Sequence, residues 1–305
     1  ESKARMVTMV DNLIAAYAES IKNLDWMSDE TKQQSLIKLS KFTPKIGYPD
    51  TWKDYSALTI KADDLAGNIK RARSFGHDQN MAKLGSPIDR DEWFMAPQEV
   101  NAYYNPGLNE IVFPAAYLQA PNFIPDAEDA YNYGTIGSTI GHEIGHGFDD
   151  QGSKYDGDGN LVSWWTDIDR EQFEARTKGL VEQFSKFEAL PGLFVNGELT
   201  LGENIGDLGG TSIALKAYRM SLKDQPSPTI DGFSGEQRFF LGNAQSSRIK
   251  WRDQILEIIV RTDPHSPDVY RINGVFPNMA DFYSTYDVKA GDGLFLPEQQ
   301  RVKIW

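Results

Sequence analysis

Residues 132–150, NYGTIGSTIGHEIGHGFDD, constrain this 305-residue chain more than any other stretch. Glycines 134, 137, 141 and 145 recur at intervals of three, four and four. On an α-helix that spacing puts all four on one face. Glycine inside a helix costs roughly 0.5–1 kcal/mol relative to alanine, so packing and not propensity must hold such a helix. A glycine face predicts that another backbone approaches it closely. The same helix carries His142, Glu143 and His146 as H-E-x-x-H. Residues four apart stand one above the other, so both imidazoles can turn a nitrogen toward one metal ion. Glu143 lies about 100° round the helix from His142, in reach of a water on that metal without binding it. The bland alternative is a buried helix that happens to hold two histidines. Against it, the chain has only four His, and two of them flank a glutamate at ligand spacing.

Composition narrows the chemistry. With no cysteine, a disulfide framework is excluded, and a zinc site must be built from histidine and carboxylates. A net charge of −13 argues against a nucleic-acid or anionic-membrane surface and describes a solvated acidic exterior. The 40% hydrophobic content is that of a globular protein, and 305 residues suffice for a sizeable core. No apolar run approaches the ~20 residues of a membrane span. The chain opens directly in an amphipathic pattern without a signal peptide, so it reads as a piece of something longer.

Helical periodicity predicts a first helix over residues 3–24, with Met6, Val10, Leu13, Ile14, Tyr17 and Ile21 on its core face. Ser28, Asp29 and Glu30 cap a second helix through Leu39, and Asp63 or Asp64 opens a third through Met81. Residues 45–54 read as a loop, and His77 as a surface or capping histidine. VNAYYNPGLNEIVF predicts two short strands around a turn. Asp156–Asn160 resembles the start of a calcium loop, but Leu161 stands where glycine is needed and Asp167 where glutamate is, so it reads as a turn. Trp164 and Trp165 read as a packing anchor. Further helices are expected at 169–190, 199–222 and 233–259, followed by a tail of strand or loop character beyond Thr262.

A catalytic zinc takes three protein ligands and leaves one position open. The best third donor is Glu203, in G-E-N-I-G-D-L-G-G (202–210), with Asp207 four residues on and on the same face. These two serve either as a ligand and a carboxylate that orients a ligand histidine, or as an exposed acidic helix face.

Four motifs, VNAYYNPGLNEIVFPA (100–115), GHEIGHGFDDQG (141–152), GENIGDLGG (202–210) and RTDPHSPDVYRING (261–274), occur in an order and spacing similar to the neprilysin and endothelin-converting-enzyme family of zinc metallopeptidases. The resemblance runs from Glu99 to Trp305, with similar helices continuing back to the start. It implies a mainly α-helical, zincin-type catalytic domain with a small β element. It further implies a zinc endopeptidase acting on oligopeptides, cutting on the amino side of hydrophobic residues. By that resemblance His142, His146 and Glu203 bind one Zn2+ and Glu143 is the general base that activates its water. Asp207 orients a ligand histidine, and His265 stabilises the oxyanion. Asn101 and Ala102 pair with the substrate backbone, and Arg271 binds a substrate carbonyl.

Each of the last roles has a plainer rival: His265 in a tight D-P-H-S-P turn, Arg271 in a surface ion pair, Asn101 in a turn. Two departures stand out. Residues 1–60 correspond only to the end of the family's helical lid and its linker, leaving 61–305 as the catalytic domain and a missing N-terminal half as a partner. The disulfide-free chain ending RVKIW resembles a bacterial member, which implies a periplasmic or extracellular location. Ser247 stands where family members often carry an aromatic that shapes the pocket for large apolar residues. The alternative function is a zinc-binding fragment or pseudopeptidase that binds peptides without turnover.

Overall fold

The computed structural model describes residues 2–305. The N-terminal helix α1 (Ser2–Lys22) buries Met6, Val10, Leu13, Tyr17 and Ile21 as its spacing requires. Ser28 caps α2 (Asp29–Ser40), its hydroxyl accepting the Thr31 N–H at 3.3 Å. The strand β1 (Thr43–Gly47) follows, and then α3 (Leu65–Met81), which starts at Asp64 with the side chain accepting from Gly67 N–H. Strands β2 (Tyr103–Asn105) and β3 (Glu110–Pro114) form the expected hairpin, antiparallel with Tyr104 opposite Ile111. A short helix α4 (Asp129–Asn132) runs through one π-helical turn (Tyr133–Gly137) into α5 (Ser138–Gly145), which carries His142 and Glu143. Helix α6 (Asp167–Phe184) leads to the hairpin β4 (Glu188–Leu190) and β5 (Leu193–Phe194), and then to the long α7 (Leu201–Ser221). The chain closes through α8 (Gly235–Ser246), α9 (Asp253–Thr262), α10 (Asp268–Asn273) and α11 (Ala280–Tyr286).

The protein is thus mainly helical with a small β element, and four local expectations are corrected. Residues 45–47 are strand and not loop: β1 pairs in parallel with β3, making the order β1–β3–β2. A parallel partner 67 positions away, Thr43 opposite Glu110, leaves no local signal. The helix expected at 169–190 ends at Phe184 and the chain turns into β4. The single helix expected at 233–259 is two, α8 and α9, broken over 247–252. The tail is helical in α10 and α11, because Pro267 serves as the cap of α10 and does not interrupt it.

Two compact units divide the chain: residues up to Gly47 together with Pro97–Trp305, and Tyr48–Ala96. The boundary read from sequence at residue 60 falls inside the second unit. Helix α1 lies in the first because it buries its stripe against α5 and α7, with the Tyr17 hydroxyl donating to Gly141 O at 2.7 Å. Trp26 joins the same core, packed at tilted angles among Trp165, Phe173 and Trp305, which makes Trp165 the expected packing anchor. In the second unit α3 buries no residue completely, Tyr55 packs on Phe75, and His77 is exposed.

The tightest packing is between α5 and α7. A Cβ on Gly141 would sit 2.6 Å from Gly210 O, and one on Gly210 would strike the backbone of His142. Gly206 lies against the His142 ring, Gly145 beside Gly206 Cα, and Gly134 against the Phe239 carbonyl. The glycine face therefore meets backbone at two helices, as its spacing predicted.

Asp169, buried in α6, ties the starts of α2 and α6 together: it accepts Ser28 N–H at 2.7 Å, Ser28 Oγ at 2.5 Å, Thr31 Oγ1 at 2.6 Å and Thr166 Oγ1 at 2.6 Å. Burial raises its pKa, but these hydrogen bonds together outweigh it and hold the carboxyl below 3.8. Because the folded value lies below the unfolded one, the stabilisation is complete above about pH 4 and is lost as pH falls through the lowered folded value. Asp169→Asn should therefore lower unfolding free energy by about 2–3 kcal/mol at pH 7, with the gap to the parent closing in acid, as read by urea melts at several pH values. Gly210→Ala should cost about 1–3 kcal/mol or more by overpacking, whereas Gly76→Ala, with nothing within 4 Å, should be neutral or stabilising.

Candidate metal centre and active-site cleft

The α5–α7 crossing brings two helical ladders face to face. His142 and His146 come from α5 and the residue that ends it, and Glu203 and Asp207 from the first two turns of α7. Glu203 Oε2 stands 3.0 Å from His142 Nε2 and 3.7 Å from His146 Nε2. One donor atom from each of His142, His146 and Glu203 lies within 4.8 Å of the others.

The outer nitrogens of both histidines are already engaged. His142 Nδ1 donates to Asp207 Oδ1 at 2.8 Å, and His146 Nδ1 to Asp149 Oδ2 at 2.7 Å. A carboxylate only accepts, so each Nδ1 carries a proton and Nε2 is the nitrogen left to bind a metal. Glu203 Oε2 is buried and makes no hydrogen bond, its histidine neighbours being close but not aligned as donors. With Nε2 deprotonated, as metal binding requires, two lone pairs and a carboxylate oxygen converge. Burial opposes a charge on His142, yet Asp207 and Glu203 outweigh it and lift the imidazole pKa to about 10. Such a pocket favours a cation, and two imidazoles with one carboxylate form a donor set that suits zinc.

Around this centre lies a cleft of about 540 Å³. All nine residues singled out in the sequence line it: His142, Glu143, His146, Glu203, Asp207, His265, Arg271, Asn101 and Ala102. Glu143 is buried, 6% exposed, and burial pushes its carboxyl above the ordinary glutamate value while His142 and His146 pull the other way. Glu203 and Asp207 are not an exposed acidic face. Burial acts against both charges, but Arg271 and His142 hold Asp207 well below the carboxylate range, and His142 and His265 do the same for Glu203.

Arg271 grips Asp207 with two donors, Nε to Oδ2 at 2.7 Å and Nη2 to Oδ1 at 2.6 Å, a half-buried pair inside the cleft and not a surface one. His265 brings Nε2 to 3.1 Å from Glu203 Oε2, and its Nδ1 to 2.7 Å from Asp263 Oδ1. Its pKa is raised, chiefly by Glu203, so it can present an N–H to the cleft. Asn101 and Ala102 precede β2, an edge strand whose described partner is β3 alone. Ser246 and Ser247, at the end of α8, also line the cleft.

Sequence reasoning missed Asp149, which orients His146 and whose Oδ1 accepts the N–H groups of Gln151 at 2.8 Å and Gly152 at 2.7 Å. Its position three residues beyond His146, at the end of the helix, is the signal that could have found it.

Fold and site together define a zincin-type helical protein built around an H-E-x-x-H helix. Residues 101–302 match the model of peptidase family M13, and residues 1–49 match that family's N-terminal model, so the chain belongs to peptidase family M13. It is 38% identical to neprilysin-11 of Caenorhabditis elegans, covering 93% of this chain and 35% of that protein. It is 35% identical to neutral endopeptidase of Lactococcus lactis, covering 100% of this chain and 47% of that protein. Among solved structures, Mycobacterium tuberculosis zinc metalloprotease ZMP1 in complex with inhibitor superposes with a TM-score of 0.97 at 57% identity, covering 100% of this chain and 47% of that one. The chain therefore spans less than half the length of these relatives. Among the described residues no helix is long and apolar enough to cross a membrane.

Replacing Asp207 or Asp149 with asparagine should weaken zinc binding by about 10–100-fold, read by competition with a chelator. Asp149→Asn keeps side-chain size and should stay folded, whereas Asp207→Asn also leaves Arg271 without its counter-charge and should lower the unfolding midpoint.

Proposed function

We propose that this chain is the catalytic part of a zinc-dependent endopeptidase that hydrolyses internal bonds of oligopeptides. The observation that carries the reading is the buried, hydrogen-bond-free Glu203 Oε2 facing His142 and His146, with Glu143 one residue away from the first ligand. His142, His146 and Glu203 would hold one zinc ion. When bound, zinc supplies Lewis-acid polarisation of a water and of the scissile carbonyl.

The chain's own groups supply the rest. Glu143, with a carboxyl raised by burial, takes a proton from the attacking water and passes it to the leaving amine. His265 donates an N–H to the oxyanion that forms as the carbonyl is attacked. Asp207 holds His142 by Nδ1, and Arg271 holds Asp207 while facing the cleft, where it can reach a substrate carbonyl. The edge of β2, with Asn101 and Ala102 before it, offers backbone groups that an extended peptide can join as an added strand. Cleavage on the amino side of hydrophobic residues is the family expectation. Ser246 and Ser247 make this wall of the cleft more polar than such a preference requires, and a peptide library with varied side chains after the scissile bond reads the outcome.

The N-terminal family match supports reading α1 and α2 as the end of the family's N-terminal part, with the remainder of that part as an intramolecular partner. Bacterial neutral endopeptidases among the relatives support a periplasmic or secreted location. No feature of the site favours a peptide-binding module, since no ligand and no acid–base group is replaced.

Hydrolysis of a short apolar peptide, with zinc content read on the same sample and a chelator control, tests the proposal. Cleavage tracking one zinc per chain supports it; a chain that binds no zinc contradicts it. Glu143→Gln should retain zinc and lose at least about 10²–10⁴-fold in turnover, whereas Glu203→Val should lose the metal. A Glu143→Gln protein with parental kcat would remove Glu143 from the role of base.

A further inference from the structure

Lys38, in α2, is 1% exposed, and neither the metal ligands nor the proposed acid–base groups include it. Its ammonium donates three hydrogen bonds to backbone carbonyls: Gly147 O at 2.6 Å, Gly152 O at 2.7 Å and Tyr155 O at 2.7 Å. The rings of Phe148, Trp164 and Tyr104 surround it, 5.6, 5.7 and 5.9 Å from Nζ. Burial lowers its pKa to about 7, with Asp149 and Asp156 pulling the other way. Three carbonyl acceptors at these distances require three protons on the nitrogen, so the site holds the ammonium form. Gly147 O lies just past the C-terminal end of α5, where helix carbonyls leave a partial negative charge that favours a cation.

The three carbonyls bracket one loop, 147–155, and that loop contains Asp149. The loop folds back on itself: Asp149 Oδ1 accepts Gly152 N–H while Gly152 O accepts from Lys38. Gly152 has no room for a side chain, since a Cβ there would collide with His146 O. The opposite oxygen of Asp149 holds His146 Nδ1. A continuous line of contacts therefore runs from Lys38 through Gly152 and Asp149 to His146, whose Nε2 faces Glu203.

The same lysine reaches the substrate-side hairpin. Its carbonyl accepts from Asn109 Nδ2 at 3.1 Å, and Asn109 Oδ1 accepts from the Tyr104 hydroxyl at 3.0 Å. Asn109 sits at φ 50°, a left-handed conformation that the β2–β3 turn requires. One residue of the N-terminal segment thus clamps both the loop behind the metal centre and the hairpin that borders the cleft.

We propose that Lys38 is a positioning residue of the metal centre, its buried ammonium tripod fixing the loop that presents Asp149 to His146. This rests on the reading of His142, His146 and Glu203 as metal ligands, and the test separates the two. Zinc affinity is measured by chelator competition, and the ligand field by the visible spectrum of the cobalt-substituted protein. The proteins compared are the parent, Lys38→Met, Asp149→Asn and the double variant, with folding checked by circular dichroism.

Lys38→Met should bind zinc about 10–100-fold more weakly and shift the cobalt spectrum. In the Asp149→Asn background the same substitution should change affinity by less than about two-fold, because residues that act through one another are not additive. A merely structural lysine would lower the unfolding midpoint without this dependence on Asp149. Lys38→Gln keeps two N–H donors in the ring box; it should fold and fall between parent and Lys38→Met, and it provides the reading if the methionine variant does not fold. Parental zinc affinity in the variants, or an equal loss with and without Asp149, overturns the proposal. So does failure of both Lys38 variants to fold, which would make Lys38 a core residue only. A parent that binds no zinc overturns the metal reading itself.

Discussion

Two helix backbones must come within glycine distance of each other before this site can exist. Gly141 and Gly145 on α5 and Gly206 and Gly210 on α7 are each spaced by four, and they remove the side chains that would hold the helices apart. The consequence is chemical. His142 and His146 share a helix with the first pair of glycines, and Glu203 and Asp207 share a helix with the second. Closing the glycine faces together brings Glu203 Oε2 to 3.0 Å from His142 Nε2. Four weak helix formers are tolerated because the crossing is buried in a core that includes Ile140, Ile144, Ile205 and Leu208.

Charge placement follows from that crossing. Concentrating Glu143, Asp149, Glu203 and Asp207 around two imidazoles, largely out of water, would be unfavourable without compensation. Arg271 compensates Asp207, the two histidines donate from Nδ1 to Asp207 and Asp149, and Lys38 satisfies the carbonyls behind Asp149. Glu203 Oε2, buried and without an aligned hydrogen-bond donor, faces the histidine Nε2 positions. A cation there completes the set, which is why the donor geometry and the electrostatics lead to the same reading.

Much of this was legible in the sequence, and the failures have physical causes. The H-E-x-x-H spacing and the glycine face are local helical patterns, so both survive translation into three dimensions. Glu203 and Asp207 also stand at helical spacing, and their residue types marked them, but only the fold could show that they face inward. Family resemblance brought in His265, Arg271, Asn101 and Ala102, none of which has a local signal. Asp149 and Lys38 escaped because their roles depend on where a loop turns after α5, and no periodicity records that. Strand β1 escaped for a related reason, since its partner β3 lies far along the chain. The tail expected to be strand or loop is partly helical, with Pro267 at the start of α10.

The most direct test of the account is anomalous X-ray diffraction at the zinc absorption edge on crystals of the protein grown with zinc. The account predicts one strong peak per chain, within coordination distance of His142 Nε2, His146 Nε2 and Glu203, about 2.0–2.2 Å from each. A peak elsewhere, or none in the presence of excess zinc, would contradict it.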